Sequence, residues 1–455
     1  MLNYLARTSA IGSVMEKLNY KFNIGYELTQ KAKSLIPAGA HSYCKGSDQF
    51  PYNAPQIIKR GEGCTLWDVD GNKFIDFGMA LGSTLIGYAH GPVLEAAQKE
   101  MMNGINFTRP SYLEAELAEI LTHLIPSAEM VKFAKNGSDA TTAAVKLARA
   151  ATNRDYVARC TQDAFNSVND WFIGSTVMDR GVPPVVRELT LKFTYNDIES
   201  CKKLFDQFPG KIACFIFEPL SFMEPKDNFL QELQTLCHKN GTLFIFDEVV
   251  SGFRFHMGGA QKYLGITPDI TALGKSLGNG FSVSALVGKR EYMELGGNDH
   301  KGERVFLLST THGAETHCLA AAKKVLEIME EKKLQEHLWT IGKRLQDGVR
   351  AAIKEVGAEK YLDVFGYPCK PAFVTKNDKG EVSWVARTLF MQETCARGIL
   401  FPYVNPSLSH TPKEIDYAVE AIKDALIVLK EAGDEEGMKK KIQGDLVKPV
   451  FRKFN

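Results

Sequence analysis

The stretch GTLFIFDEVVSGFRF (241–255), continued by HMGGAQKYLGITPDITALGKSLGNG (256–280), decides the fold class of this 455-residue chain. Leu243–Phe246 is a short, fully apolar run, as expected of a strand that is buried on both faces of a parallel sheet. Asp247 and Glu248 follow this run directly. Open α/β sheets bind their ligands outside the carboxyl ends of their strands, so the two carboxylates stand where a ligand would bind.

A lysine follows the second apolar run of this stretch. Ile270–Leu273 leads into Gly274 and Lys275, and a lysine amine that is desolvated beside glycines shifts its pKa readily. An acid and such a lysine at adjacent strand ends predict a cofactor with a basic ring nitrogen and an aldehyde, the two groups of pyridoxal phosphate. The same acids are typical of metal sites in nucleotide-binding enzymes. A phosphate-binding loop GxxxxGK[ST], however, would need glycine where Asp269 stands. The sequence therefore excludes a nucleotide-binding enzyme with this loop.

A helix start further upstream is suited to binding a phosphate. Asn136-Gly137-Ser138-Asp139 stands between the strand-like run Met130–Ala134 and an alanine-rich helix. Glycine lets the backbone approach an anion, Ser138 offers a hydroxyl, and the free amides and dipole of a helix start favour phosphate. The alternative is an ordinary helix cap, because Ser and Asp both cap helices. Together with Asp247 and Lys275, this motif predicts pyridoxal phosphate.

Short apolar runs alternate with helical patterns from about Met130 to Leu307, which predicts an α/β domain with a mainly parallel sheet and helices on both faces. The expected strands are 130–134, 156–160, 212–217, 243–246 and 270–273, and the expected helices are 139–152 and 314–331. Upstream of them, Cys64–Phe77 alternates and turns at Asp70-Gly71-Asn72, which predicts a β-hairpin.

The chain is longer than a typical single core, so a second domain is expected. Three parts are predicted: an N-terminal segment that joins the small domain (1–90), a large cofactor-binding domain (91–335), and a C-terminal small domain with a tail (336–455). Weaker strands near Leu362 and Ala372 and a helix over 412–432 give the small domain an α+β pattern. The polar tail from Gly433 predicts a solvated extension.

Composition and charge exclude several classes of protein. The 55 basic and 54 acidic residues give a net charge of +1, so nothing indicates a nucleic acid or a membrane surface as partner. No apolar run approaches the roughly 20 residues of a membrane helix, and the N-terminus lacks a signal-peptide core. Nine dispersed cysteines without a CxxC pair favour reduced thiols in a cytoplasmic protein. We expect no metal, because His312, Glu315 and His317 straddle a helix start without a complete ligand set.

Six motifs resemble those of the class III pyridoxal-phosphate aminotransferases of fold type I, most closely the glutamate-1-semialdehyde 2,1-aminomutase branch. They are LWDVDGNKFIDF (66–77), MVKFAKNGSDATTAAVKLARAAT (130–152), FEPL (217–220), LFIFDEVVSGFR (243–254), TPDITALGKSLGNG (267–280) and STTHGAETHCLAAA (309–322). The likeness covers about residues 30–430. It implies a mainly parallel seven-stranded sheet in the large domain, a small α+β domain built from both chain ends, and a homodimer with shared active sites.

The resemblance also implies roles for individual residues. Lys275 would hold the cofactor as an internal aldimine and then move the proton between Cα and C4′, and Asp247 would pair with the protonated pyridine nitrogen. The other residues expected around the cofactor are Gly137 and Ser138 at its phosphate, Val249 and Phe165 on the two faces of its ring, Asn166 after the stacking aromatic, Glu218 in the FEPL motif, and Thr311, which would complete the phosphate site of the neighbouring subunit.

Departures from the aminomutase pattern bear on the substrate. Lys45 stands where the aminomutases carry an arginine for the substrate carboxylate, and lysine lacks the bidentate fork of arginine. Asn166 replaces a histidine, and Ser282 replaces a proline. We therefore expect amino transfer from an amino acid, glutamate above all, to a carbonyl substrate such as an aldehyde or keto sugar. Lys45 and Arg109 are candidate substrate contacts. The alternatives are intramolecular amino migration, as in the aminomutases, and a non-catalytic binding protein that kept this fold.

Overall fold

The computed structural model describes residues 7–9, 12–220 and 223–454, and the chain divides into two compact units. Unit 1 comprises Met1–Leu81, Leu85–His90 and Glu336–Val450, and unit 2 comprises Gly82–Thr84, Gly91–Gln335 and Phe451–Asn455. The main borders lie at residues 90/91 and 335/336. Residues 451–454, which the sequence grouped with the C-terminal part, fall into unit 2.

The N-terminal part of unit 1 contains a short hairpin, one regular helix and three strands of a small sheet. Its elements are β1 (Arg7–Ser9), β2 (Gly12–Val14), α1 (Asn23–Leu35), β3 (Ile58–Glu62), β4 (Thr65–Asp68) and β5 (Lys73–Asp76), followed by the single turn α2 (Met79–Gly82). β4 pairs with β5 in antiparallel fashion, so the hairpin predicted over Cys64–Phe77 is confirmed.

Unit 2 is built on a seven-stranded sheet in the order β6-β12-β11-β10-β9-β7-β8. The strands are β6 (Met130–Ala134), β7 (Tyr156–Cys160), β8 (Thr190–Phe193), β9 (Ile212–Phe217), β10 (Leu243–Glu248), β11 (Ile270–Leu273) and β12 (Ser284–Gly288). β12 alone runs antiparallel to its two neighbours, and the other pairings are parallel. All five predicted strands are present, and the mainly parallel sheet is confirmed.

Helices cover both faces of this sheet. They are α3 (Gly91–Met101), α4 (Tyr112–Leu124), α5 (Gly137–Thr152), α6 (Asp170–Ile173), α7 (Pro184–Glu188), α8 (Ile198–Gln207), α9 (Phe229–Lys239), α10 (Gly259–Leu264), α11 (Arg290–Met293) and α12 (Thr316–Glu331). Along β10, Leu243 and Ile245 pack in the core on the α5 side, whereas Phe244 and Phe246 pack in the core on the opposite face. Side chains alternate along a strand, so Asp247 belongs to the α5 face.

The C-terminal part of unit 1 completes the small sheet. Its elements follow α13 (Leu334–Val356) and are β13 (Leu362–Tyr367), β14 (Lys370–Thr375), α14 (Trp384–Ala396), β15 (Ile399–Leu400), α15 (Pro412–Ala432) and α16 (Glu435–Lys441). β15 pairs in parallel with β5, which gives a sheet in the order β15-β5-β4-β3. Both ends of the chain therefore build one α+β unit, as expected. No helix among the described residues is both long and apolar enough to traverse a bilayer.

The tail from Gly433 is not the solvated extension that its composition predicts. It forms α16 and then packs on α14, with the side chains of Met438 and Val447 buried at 0% and 2% exposure. The Val447 amide donates to Oγ1 of Thr388 at 3.1 Å. The prediction was wrong because a few apolar anchors, rather than the many polar residues between them, decide whether a segment docks.

Candidate active site

The carboxyl ends of two neighbouring strands bring Asp247 and Lys275 to one edge of the sheet. β10 and β11 run parallel, with Asp247 beside Ala272 and Glu248 beside Leu273. Lys275 follows two residues after β11 ends, close enough for its amine to oppose the rise in pKa that burial imposes on Asp247. Lys275 has a φ of 42°, a left-handed conformation that is uncommon outside glycine and is concentrated at functional sites.

Asp247 is a buried carboxylate with a well-defined set of donors. It is 5% exposed, and it accepts hydrogen bonds from Nδ2 of Asn166 at 2.9 Å and from the amide of Val249 at 3.1 Å. Burial raises the pKa of Asp247 to about 6, and these two hydrogen bonds and the Lys275 amine limit the increase. A carboxylate in this setting gains from a cationic partner, such as a protonated ring nitrogen.

Two further acids lie beside Asp247. Nδ2 of Asn166 also donates to Oδ2 of Asp163 at 3.2 Å, and the amide of Glu218 donates to the same oxygen at 3.1 Å. Burial, followed by the charges of Glu218 and Asp247, raises the pKa of Asp163 well above its ordinary value. Asp163 therefore tends to keep its proton, which limits the negative charge around Asp247. The role of Asp163 could not be predicted from the sequence, because an aspartate in a polar turn carries no signal of such burial.

The start of α5 offers donors for an anion. Two side chains cap the helix. Oδ1 of Asn136 accepts from the Ser138 amide at 3.1 Å, and Oδ2 of Asp139 accepts from the Asn136 amide at 3.1 Å. The Ser138 hydroxyl is not needed for capping and accepts from the Val168 amide at 3.1 Å, which leaves its own proton to donate. Within the described residues, the amide of Gly137 has no hydrogen-bond acceptor. Free donors of this kind bind phosphate at helix starts.

Val249 connects this helix start to the lysine loop. A Cβ added to Gly137 would lie 2.6 Å from Cγ1 of Val249, and a Cβ added to Gly274 would lie 3.4 Å from the same atom and 3.7 Å from Cα of Gly137. The helix start, the strand end that carries Asp247 and the loop that carries Lys275 therefore meet at one place.

The close approach at Gly137 gives a first testable prediction. Gly137→Ala is expected to weaken retention of the cofactor by roughly tenfold or more, because the methyl group must push Val249 and the helix start apart. Equilibrium dialysis of the cofactor measures the loss. Gly91→Ala is the matched control, since Gly91 also begins a helix and a Cβ there meets no atom within 4 Å. Equal retention by the two variants would contradict the prediction.

Two other predicted site residues are exposed. Phe165 is 48% exposed, and its ring packs edge-on against Phe172 with the centroids 5.6 Å apart. Thr311 is exposed in the segment that precedes α12, and its carbonyl oxygen accepts from Nδ2 of Asn106 at 2.6 Å. Exposed positions of this kind are accessible to a cofactor or to a second subunit.

The two candidate substrate contacts are less closely tied to the site. Arg109 is exposed between α3 and α4, and in the described part of the chain no hydrogen bond or ion pair joins it to Asp247 or Lys275. Lys45 is exposed at the end of a 3-10 turn, Tyr43–Lys45, in unit 1. Their roles toward a substrate stay predictions.

One cluster contains side chains that could ligate a metal. The ligand atoms of Glu315, His317 and Cys318 lie within 4.8 Å of one another. Glu315 already forms an ion pair with the ammonium group of Lys135 and a 3.1 Å hydrogen bond with His312. A metal would have to displace Lys135, and the described residues offer it no fourth ligand, so the cluster is better described as an ion-pair network.

The lysine amine can bond an aldehyde, the buried acid can pair with a basic ring nitrogen, and the helix start can bind a phosphate. These three groups occur together in pyridoxal phosphate. The sheet order and the position of these residues at its carboxyl edge define a pyridoxal-phosphate-dependent transferase of fold type I.

The family follows from comparison with known proteins. The aminotransferase class-III model matches residues 49–426, so the chain belongs to the class III aminotransferases. It is 32% identical over 432 residues to a glutamate-1-semialdehyde 2,1-aminomutase of Alkaliphilus oremlandii, covering 88% of this chain and 97% of that protein. It is 31% identical over 413 residues to a 3-aminobutyryl-CoA aminotransferase of Cloacimonas acidaminovorans, covering 89% and 96%.

A solved structure supports the same conclusion. The FumI protein of Sphingopyxis sp. MTA144, in its pyridoxal-phosphate internal aldimine form, superimposes with a TM-score of 0.82 at 26% identity, covering 92% of this chain and 98% of that one. The expected family, fold type and cofactor are thus confirmed, and the cofactor of this enzyme is pyridoxal 5′-phosphate. Its relatives include both aminotransferases and aminomutases.

Proposed function

We propose that this enzyme transfers an amino group from an amino acid, with glutamate as the first donor to test, to a separate carbonyl substrate. The convergence of Lys275, Asp247 and Gly137 at one edge of the sheet carries the proposal. The departures at Lys45 and Asn166 favour a separate acceptor over amino migration within one molecule, because the arginine and histidine of the aminomutase pattern are absent from these positions.

Asp247 and Lys275 have complementary roles in this reaction. Pyridoxal phosphate, when bound, supplies a ring that withdraws electrons from the substrate carbon that loses its proton. Asp247, held by Asn166 and by the amide of Val249, keeps the ring nitrogen protonated because its buried carboxylate is stabilised by that positive charge. Lys275 holds the cofactor covalently through Nζ. Once the amino donor has released this amine, it takes the proton from Cα of the substrate.

The remaining residues bind and orient the cofactor. The Gly137 amide and the Ser138 hydroxyl donate to its phosphate, and the partial positive charge of the α5 start supports them. Val249 would pack on one face of the ring and Phe165 on the other. Their contacts would fix the plane of the ring relative to Lys275, and a fixed plane decides which substrate bond is activated.

A homodimer with shared active sites is part of the proposal. Thr311 and Asn106, joined by a hydrogen bond, belong to two exposed segments that also carry Phe107 and Phe306, exposed by 52% and 71%. Exposed large apolar side chains are frequent at protein interfaces. A second copy of the chain would cover them and would place Thr311 at the phosphate site of its neighbour.

The carbonyl acceptor is proposed to be an aldehyde or keto sugar. Such a substrate needs no bidentate carboxylate clamp, and this agrees with lysine rather than arginine at position 45. Lys45 and Arg109, both exposed cations, are proposed to contact the substrate through single hydrogen bonds to its oxygens or as point charges beside an anionic group.

Amino migration within one molecule is the second candidate, and it is supported by the aminomutase names of several relatives that cover most of the chain. The two candidates differ in what they consume. A transaminase needs an external amino donor and releases a keto acid, whereas a mutase loaded with the aminated cofactor rearranges one substrate and releases none.

The test is a pair of half-reactions followed by the absorbance of the lysine-bound cofactor. Glutamate is expected to abolish this absorbance and release 2-oxoglutarate, and an aldehyde or keto sugar from a panel is expected to restore it. Rearrangement of a single amino aldehyde by the aminated enzyme, with no keto acid released, would establish the mutase instead. A purified protein without this absorbance, unresponsive to every donor, would support a non-catalytic binding protein.

A further inference from the structure

A cavity of about 240 Å³ lies entirely within unit 1. Its wall is built from four separate parts of the chain: the turn around Cys44 and Gln49, the first turn of α14, the residues after β15, and the docked tail at 448–450. Cys44 and the tail lie outside the stretch that matches the class III family model, which ends at residue 426. Part of the cavity wall is therefore built from residues outside that stretch.

The charged groups of this cavity are both positive. Arg387 and Lys448 line it, and no carboxylate does. Asp48 is the acid next in sequence to the lining residue Gln49, whose Nε2 donates to Oδ2 of Asp48 at 3.3 Å. The carbonyl oxygen of Asp48 accepts from the Lys448 amide at 2.9 Å, which fixes the backbone of the tail at this wall.

Arg387 uses only part of its hydrogen-bonding capacity. Its Nη2 donates to the carbonyl oxygen of Pro402 at 2.6 Å, and its Cζ lies 5.7 Å from the centre of the Trp384 ring. In the part of the chain that the structure describes, no carboxylate forms an ion pair with it. Burial lowers the pKa of Arg387, but a guanidinium remains charged in proteins. The remaining donors of this fork are therefore available to an anion.

A second arginine of unit 1 is buried together with two carboxylate partners. Arg397, 2% exposed, pairs with Glu393 at 2.9 Å and with Asp424 at 3.1 Å. Burial of an unpaired charge is costly, so structural arginines are normally neutralised in this way. Arg387 lacks such acids and instead faces a cavity with a second cation, which is the arrangement of a binding site for an anion.

The other walls indicate the body of the ligand. Trp384 and Tyr403 supply aromatic surface. Burial raises the pKa of Tyr403 to about 12, so its hydroxyl stays neutral and can donate. The volume exceeds the space of one water, about 30 Å³, several times over and approaches the roughly 300 Å³ at which small-molecule pockets begin. A compact organic molecule fits this space better than a bare inorganic ion.

We infer that this cavity binds a small organic anion, whose carboxylate or phosphate group is held by the fork of Arg387 and the ammonium group of Lys448 and whose body packs on Trp384 and Tyr403. The site goes beyond the proposed amino transfer and uses none of its residues.

The experiment is calorimetric titration of the cofactor-saturated enzyme, in which the phosphate-binding helix start at Gly137 is already filled. Glutarate and glycerol 3-phosphate are the probes, and inorganic phosphate is the bare-ion comparison. At least one organic probe is expected to bind more tightly than inorganic phosphate. Arg387→Gln and Lys448→Gln should each weaken it roughly tenfold or more, because each removes a charge-assisted hydrogen bond.

Three comparisons keep the test decisive. Arg350→Gln is the matched control, because Arg350 also belongs to unit 1 and donates to a main-chain carbonyl, that of Val364 at 3.3 Å, yet does not line the cavity. The affinity of the Arg350→Gln enzyme for the organic probes should equal that of the unaltered enzyme. Lys448 is exposed, so its variant folds even where Arg387→Gln does not. Absence of binding by both organic probes, or equal binding by all variants, would overturn the inference, and the absorbance of lysine-bound cofactor should be unchanged throughout.

Discussion

Replacing Lys275 with alanine is expected to reduce turnover by more than about 10⁴-fold, because the change removes the covalent attachment of the cofactor together with a proton-transfer group that by itself contributes about 10²–10⁴. The cofactor should still bind through its phosphate and ring contacts at Gly137 and Asp247. Steady-state rates with the best donor and acceptor give the loss, and borohydride treatment followed by mass spectrometry shows whether the cofactor becomes fixed to the chain.

A second lysine provides the control for this experiment. Lys262 is exposed on α10, so Lys262→Ala should keep both the rate and the borohydride-fixed cofactor of the unaltered enzyme. If the Lys275→Ala enzyme transaminated at a normal rate, or if its cofactor were still fixed by borohydride, the assignment of Lys275 would be wrong and another amine would have to carry the reaction.

The local signals of the sheet and of its cofactor edge could be recognised in the sequence. Apolar runs such as Leu243–Phe246 are long enough and hydrophobic enough to specify strands buried on two faces, and glycine at position 137 marks a close approach that only an absent side chain permits. β8 and β12 were not predicted. β8 (Thr190–Phe193) is short and half polar in pattern, and β12 (Ser284–Gly288) runs antiparallel, which the alternation of strands and helices does not indicate.

Features that depend on contacts between distant segments could not be predicted. Asp163 becomes a partner of Asn166 and Glu218 only because two loops fold against the same strand end, and neither loop has a periodic pattern. The tail was misjudged for the same reason, since Val447 finds its partner 59 residues away in α14. The cavity at Arg387 could not be predicted for the same reason, because Lys448, one of its two cations, belongs to that tail.

Asp247→Asn is expected to lower turnover by on the order of 10²- to 10³-fold while the cofactor still binds, because a neutral amide cannot stabilise the protonated ring nitrogen. The change is nearly isosteric. The side-chain Oδ1 of Asn166 has no donor among the described residues, and rotation of the Asn166 amide lets this oxygen accept from the new amide. Rapid-mixing absorbance should place the loss in the proton-transfer step rather than in cofactor binding.

The neighbouring acid is the control for this variant. Glu248 is as deeply buried, but it faces α10 and accepts from the Gln261 amide and from Nε2 of Gln261. Glu248→Gln should therefore leave turnover near that of the unaltered enzyme.

The raised pKa of Asp247 should also be visible in how the stability of the protein varies with pH. Burial raises the pKa of Asp247 to about 6, so its ionisation costs folding free energy, and this cost develops as the pH rises from about 4 to 6. In the cofactor-free protein, Asp247→Asn should raise the free energy of unfolding by about 3 kcal/mol above pH 6 and change it little below pH 4. Urea unfolding at pH 4 and pH 8 measures both values. A variant that is more stable at pH 8 yet nearly inactive would show that Asp247 is retained for its charge at a cost to the fold, whereas equal losses of stability and activity would mean that the carboxylate only supports the structure.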